Sequence, residues 1–157
     1  MRALFCLVVA LPLAAHADLR SDLQVRYGQL DKAIAAKNGK AVVAWSRANL
    51  ASDFSYTSKD KHRYGRAEFE KQLSMQVGIT KKVTQSATKV VSIKASGSTL
   101  SAVVGTVFDG ILAFDSRPLR MVDKSEQVDT WVKSGGKWLL KTSVQTKDDN
   151  KTYQQSK

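Results

Sequence analysis

Asp129-Thr130-Trp131-Val132-Lys133-Ser134-Gly135-Gly136-Lys137-Trp138-Leu139-Leu140 has the pattern of a β-hairpin. Glycine alone enters positive φ without steric cost. Gly135-Gly136, set between runs of Val, Trp, Thr and Leu, therefore fits the primed two-residue turns that match strand twist. Side chains alternate across a strand, so Trp138 shares a face with Leu140, Thr142 and Val144 and is expected in the core. Trp131 shares its face with Asp129 and Gln127, a more polar set that suits packing, a pocket lining or a dimer contact.

Everything from about residue 83 reads as antiparallel sheet, because β-branched residues and threonines dominate and helix formers thin out. Residues 83–95 form one strand and Ser96-Gly97-Ser98 a turn. Residues 99–114 form a long strand with Leu100, Val104, Phe108 and Leu112 on one face. Gly105 and Gly110 are places where that strand can bend or bulge. Asp115-Ser116-Arg117-Pro118 reads as a second turn, followed by a strand through residues 122–133 and, after the hairpin, one over 138–146. The polar residues after Lys147 are expected to fray.

Before residue 80 the period changes. Leu19, Leu23, Tyr27, Leu30 and Ile34 recur at spacings of three and four, an amphipathic helix over 18–38 ended by Asn38-Gly39. Val42, Val43, Trp45, Ala48 and Leu50 mark a second helix over 40–51, close-coupled to the first. Phe54 and Tyr56 alternate in a short strand, residues 58–63 make a polar turn, and Phe69, Leu73 and Val77 stripe a third helix over 66–77. Helices followed by strands predict an α+β domain, with helices gathered on one face of an antiparallel sheet.

The first residues read as an export leader. Met1-Arg2 is a positive n-region, residues 3–13 a short apolar run, and Ala15-His16-Ala17 an A-x-A cleavage site, so the mature chain is expected to begin at Asp18, in the periplasm or outside the cell. The apolar run falls well short of the roughly 20 residues that span a bilayer. Residues 18–147 then form one domain and residues 148–157 a polar tail. The chain's one cysteine, Cys6, lies in the leader, so the mature protein has neither disulfides nor thiolate chemistry. The formal charge of +11, less the one unit of Arg2, favours solubility and weak attraction to anionic surfaces.

Two N-terminal helices are followed by Leu50-Ala51-Ser52-Asp53-Phe54-Ser55-Tyr56-Thr57, a polar turn, Arg66-Ala67-Glu68-Phe69 and the closing Trp131 to Trp138 hairpin. This order resembles the nuclear transport factor 2-like superfamily, its SnoaL-like and calmodulin-kinase-association-like branches above all. The resemblance covers nearly all of the mature chain. It implies a cone-shaped α+β fold, with N-terminal helices packed on a strongly curved antiparallel sheet, a pocket between them, and frequent dimerisation through the sheet. Members include isomerases, dehydratases, cyclases and non-enzymatic binding domains, so the fold by itself selects no chemistry. Steroid-isomerase-type relatives carry a carboxylate base shortly after the first strand. That position falls near Ser58 here, with Asp60 close by.

The candidate pocket residues are Tyr27, Trp45, Tyr56 and Trp131, whose aromatic bodies and polar tips suit a ligand with an apolar frame. No catalytic set is assigned. Asp60, Asp109 and Asp129 are the carboxylates available to a general-base mechanism, with Tyr27 or Tyr56 as hydrogen-bond donor. His62, alone after processing, builds neither a multi-histidine metal site nor a triad, so no metal and no cofactor are expected. Lys59, Lys61, His62, Arg63 and Arg66 cluster without the interleaved aromatics of a nucleic-acid motif, and read as a solvated face. The residues thus suit an exported binding or accessory protein for a small or medium apolar ligand. A cofactor-free isomerase, dehydratase or cyclase is the alternative, and a sheet-mediated interaction module the third reading.

Overall fold

The computed structural model describes residues 13–114 and 117–154. In chain order the elements are α1 (Leu13–Ala35), α2 (Gly39–Asn49), β1 (Leu50–Thr57), β2 (Arg63–Gly65), α3 (Arg66–Ile79), β3 (Thr80–Ser96), β4 (Thr99–Phe114), β5 (Arg117–Ser134) and β6 (Lys137–Gln154). The helices pack on one face of an open, curved sheet of order β2-β1-β6-β5-β4-β3, the cone-shaped α+β arrangement expected. One pairing departs from the antiparallel expectation, since β1 runs parallel to β6. Most of the expected leader, residues 1–12 with Cys6, lies outside the described residues, as do Asp115 and Ser116 of the expected second turn. Helix α1 runs through the expected cleavage point. No helix among the described residues is long and apolar enough to cross a membrane.

The α1 stripe faces the sheet as its spacing predicts, with Leu23 and Tyr27 buried and Leu19 and Leu30 packed beside them. Lys37, in the left-handed region at φ 51°, ends the helix. Asn38 Oδ1 then caps α2 by accepting the Ala41 N–H at 3.0 Å. The polar side of α1 has a second task. Strand β3 is a sheet edge, and an open edge is a template for pairing with other chains. Gln24 donates to Thr88 O and accepts from Val90 N, Arg20 donates to Val90 O, and Asp31 accepts from Thr88 N. The helix thus satisfies that edge and holds the curled sheet against itself.

On β4 the expected inward face is buried, with Ala102 joining Leu100, Val104, Phe108 and Leu112. The bulges sit on the neighbouring strand instead. Lys81, Thr84 and Val91 are extra residues of β3 opposite an unbroken β4. Gly110 serves close approach: a Cβ there would lie 2.7 Å from Phe108 Cζ and 2.8 Å from the Lys82 carbonyl oxygen.

The hairpin forms with both glycines at positive φ, 56° and 80°. Of its tryptophans, Trp131 takes the packing role among those open to it, and Trp138 falls short of the core expected for it. Trp131 is 0% exposed, while Trp138, near the turn, is only half-buried at the margin of the core. Trp131 pairs with Leu140 and Thr130 with Thr142, which leaves Lys141 as an extra residue in β6. Past this bulge the alternation inverts, so Ser143 is buried and Val144 is exposed. The polar residues after Lys147 do not fray through Gln154. They continue β6, paired with β5 as far as Leu119, because the early half of β5 supplies a partner backbone and both faces there are wet.

Candidate functional site

Between the three helices and the inner face of the sheet lies a partly enclosed cavity of about 410 Å³. Leu30, Ile34 and Leu73 form its helical wall, and Phe54, Phe69 and Phe108 continue the apolar lining. Phe69 packs on Phe54 and Tyr56 at ring separations of 5.1 and 5.4 Å, and Tyr56 lies 5.9 Å from Tyr64.

Three of the four expected pocket residues line this cavity: Tyr27, Trp45 and Tyr56. The fourth, Trp131, does not. It sits behind Tyr27, edge-on at 5.9 Å, with the Arg26 guanidinium 5.8 Å from its ring. Its bulk fills the apex of the core, so it supports the site from outside. Trp45 fixes α1 against α2 by donating its indole N–H to Arg26 O at 2.7 Å.

The Tyr27 hydroxyl donates to Asp129 Oδ2. Asp129 is 1% exposed and stands opposite Ser143 in the β5–β6 ladder. Burial pushes its carboxyl up to about 6, against the pull of Ser143 and Tyr27, which favour the ionised form. Burial, and then the charge of Asp129, hold the Tyr27 phenol well above its ordinary value. Asp129 Oδ1 has no hydrogen-bond partner among the described residues.

The other two candidate carboxylates are elsewhere. Asp60 lies in an exposed turn. Asp109 takes a bidentate hold from Arg120, at 3.0 and 2.7 Å, which keeps its carboxyl below the usual range. Neither lines the cavity. Ser58 does line it.

Two acids that the sequence reading passed over face inward. Asp31 on α1 is saturated by Ser86 and by the Thr88 N–H and hydroxyl. Asp123 on β5 is half-buried, and burial followed by the neighbouring Asp148 raises its carboxyl to about 6. The signal for Asp123 was parity, since β5 pairs with β4 without a register shift and carries Asp123, Gln127 and Asp129 on one face. For Asp31 it was helical spacing, four residues after Tyr27.

The basic cluster is partly consumed by structure. Arg63 donates to Ser55 Oγ, and Arg66 pairs with Glu70 while donating to Leu50 O. His62 is exposed beside Tyr64. Among the described residues no group of three His, Cys, Asp or Glu side chains converges as a metal site requires. Chemically, the cavity can enclose an apolar body and meet a polar tip at one buried carboxylate.

No family model and no curated protein sequence matches the chain. Solved structures do. A variant of a protein of unknown function from Mycobacterium tuberculosis aligns with a TM-score of 0.66 at 14% identity, over 90% of this chain and 78% of that one. A nuclear transport factor 2-like protein from Cytophaga hutchinsonii gives 0.61 at 12% identity, over 81% and 96%. A putative calcium/calmodulin-dependent kinase II association domain from Exiguobacterium sibiricum gives 0.55 at 15%, over 87% and 95%. The chain has the nuclear transport factor 2-like fold that the resemblance implied. At such identities the likeness carries the fold and no activity.

Proposed function

We propose that the chain is an exported binding or accessory protein whose cavity receives a small or medium ligand with a largely apolar body. One observation carries the reading: a cavity of about 410 Å³ in which Leu30, Ile34, Leu73, Phe54, Phe69 and Phe108 supply apolar surface, and polar groups from helix and sheet, Gln72 and Gln76 opposite Gln127 and Asp129, interrupt it. That size lies within the roughly 300–1,000 Å³ of ligand pockets, and the lining has their composition. A thermal-shift screen of sterols, fatty acids, alkylamines and arylalkyl compounds tests it. A true ligand at about 100 times its Kd stabilises by about 2.7 kcal/mol, a shift of several degrees. A screen in which nothing raises the melting temperature would sink the reading.

The placement of Asp129 favours a second reading, an isomerase or dehydratase. Of Asp60, Asp109 and Asp129, only Asp129 lines the cavity, where Tyr27 holds its Oδ2, and Oδ1, without a partner among the described residues, is placed to take a proton from substrate carbon. Deuterium exchange into a bound carbonyl compound, lost in Asp129→Asn, separates enzyme from binder. Export, with cleavage before Asp18, and pairing of two copies through the sheet, where Val91 and Val144 are exposed, complete the proposal. N-terminal sequencing and light scattering on protein recovered from the cell envelope check both: a dimer beginning at Asp18 is the expected result.

A further inference from the structure

The charge of this cavity is opposite to that of the molecule. The chain carries 25 Lys and Arg against 14 Asp and Glu. Among the described residues, however, no Lys, Arg or His lines the cavity, whereas Asp31, Asp123 and Asp129 do. Asp31 is committed to the β3 edge. The other two each keep a buried oxygen, Oδ1, with no partner among the described residues. For Asp129 the whole side chain is withdrawn from solvent, at 1% exposure, and what favours its ionised form is neutral: the Tyr27 phenol that donates to Oδ2 and the Ser143 hydroxyl beside it.

A buried carboxylate without a cation is costly, since its lost hydration is repaid only by a charged partner or several hydrogen bonds. The surrounding groups add no positive charge. Facing Asp129 are Tyr27 from α1, Ser143 from β6 and Tyr56 from β1, with Asp123 on its own strand. The rings of Tyr27, Trp45, Tyr56, Tyr64 and Phe69 line the same space, and aromatic π-systems attract cations. A ligand with an ammonium group would satisfy both features at once.

Resting on the binding reading above, we infer that the cavity selects an organic cation, a protonated amine on an apolar body, with Asp129 as its counter-ion and Asp123 adding to the same negative potential. A neutral hydroxyl can donate one hydrogen bond to Oδ1 but leaves the charge unopposed. A carboxylate is repelled. The selection is therefore by charge at equal shape.

Calorimetric titration of the mature protein at pH 8 with 4-phenylbutylamine, 4-phenylbutanol and 4-phenylbutyrate tests this. The amine is expected to bind at least tenfold tighter than the alcohol, with the carboxylate not binding at millimolar concentration. In Asp129→Asn the amine's advantage should fall below twofold. Asp123→Asn, at a half-buried position, should reduce it about threefold. Equal binding of amine and alcohol to the wild type, or an advantage that survives Asp129→Asn, overturns the charge selection while leaving an apolar pocket in place. Failure of all three compounds to bind overturns the inference together with the binding reading beneath it.

Discussion

Trp131→Ala is expected to lower stability by about 3–5 kcal/mol, and the melting temperature by roughly 10–20 °C. The indole is fully buried in one cluster with Leu23, Tyr27, Leu100 and Leu140, where helix α1 meets β4, β5 and β6. Truncation there opens a cavity that four elements must collapse to fill, and cores relax only in part. It also uncovers one face of Tyr27, whose ring meets Trp131 edge-on, and removes the surface beneath the Arg26 guanidinium. Trp138→Ala is the control. That ring is half-buried at the margin, so its loss is expected to cost about 1–2 kcal/mol. Denaturant melts of both variants decide the matter, and a larger loss at Trp138 would refute the placement of the two rings.

The placement of those tryptophans illustrates how far local pattern carries. Gly135-Gly136 declares the turn because positive φ is a property of the residue itself, and the inward face of β4 follows from alternation along a strand with no register shift against β5. Lys141 is different. Nothing about a lysine between Leu140 and Thr142 announces that it is an extra residue, yet it inverts the positions that follow, as far as the second extra residue at Thr146, and turns Ser143 inward. The short β2 was hidden in the same way, since Arg63-Tyr64-Gly65 is a strand only because β1 offers it an edge. Residues 148–154 pair for a similar reason, against the early half of β5. Within the site, Tyr27, Trp45 and Tyr56 were legible as aromatics on periodic faces. Asp123 and Asp31 were not, because a carboxylate in a polar run reads as solvated until the opposing layer is known. Asp60 and Asp109 show the converse, one left in an exposed turn and the other drawn aside by Arg120.

Asp129→Asn is expected to make the protein more stable at neutral pH, by about 2–3 kcal/mol, and to leave it nearly unchanged at pH 4. The sign follows from the direction of the shift. Burial raises the carboxyl from its ordinary 3.8 to about 6 in the fold, so the folded state holds this proton more tightly than the unfolded chain. Below about pH 4 both states are protonated and Asp129 costs nothing. As pH rises from about 4 to about 6 the unfolded chain ionises first, stability falls, and the loss persists above the folded value. Asparagine keeps an oxygen to accept the Tyr27 hydroxyl but never ionises, so it removes that loss. Asp123, raised in the same direction by burial and Asp148, remains in the variant and should leave a shallower slope over the same window. Urea melts at pH 4.5, 6.0 and 7.5 read both effects. A variant less stable than wild type at pH 7.5, or one with an unaltered slope, would show that the carboxylate is structural. The expected gain has a functional meaning, because a chain that carries a destabilising charge in its cavity, where an amide would fold better, retains it for a task other than folding. Stability gained at pH 7.5 together with amine binding lost at pH 8, in this one substitution, would locate that task at Asp129.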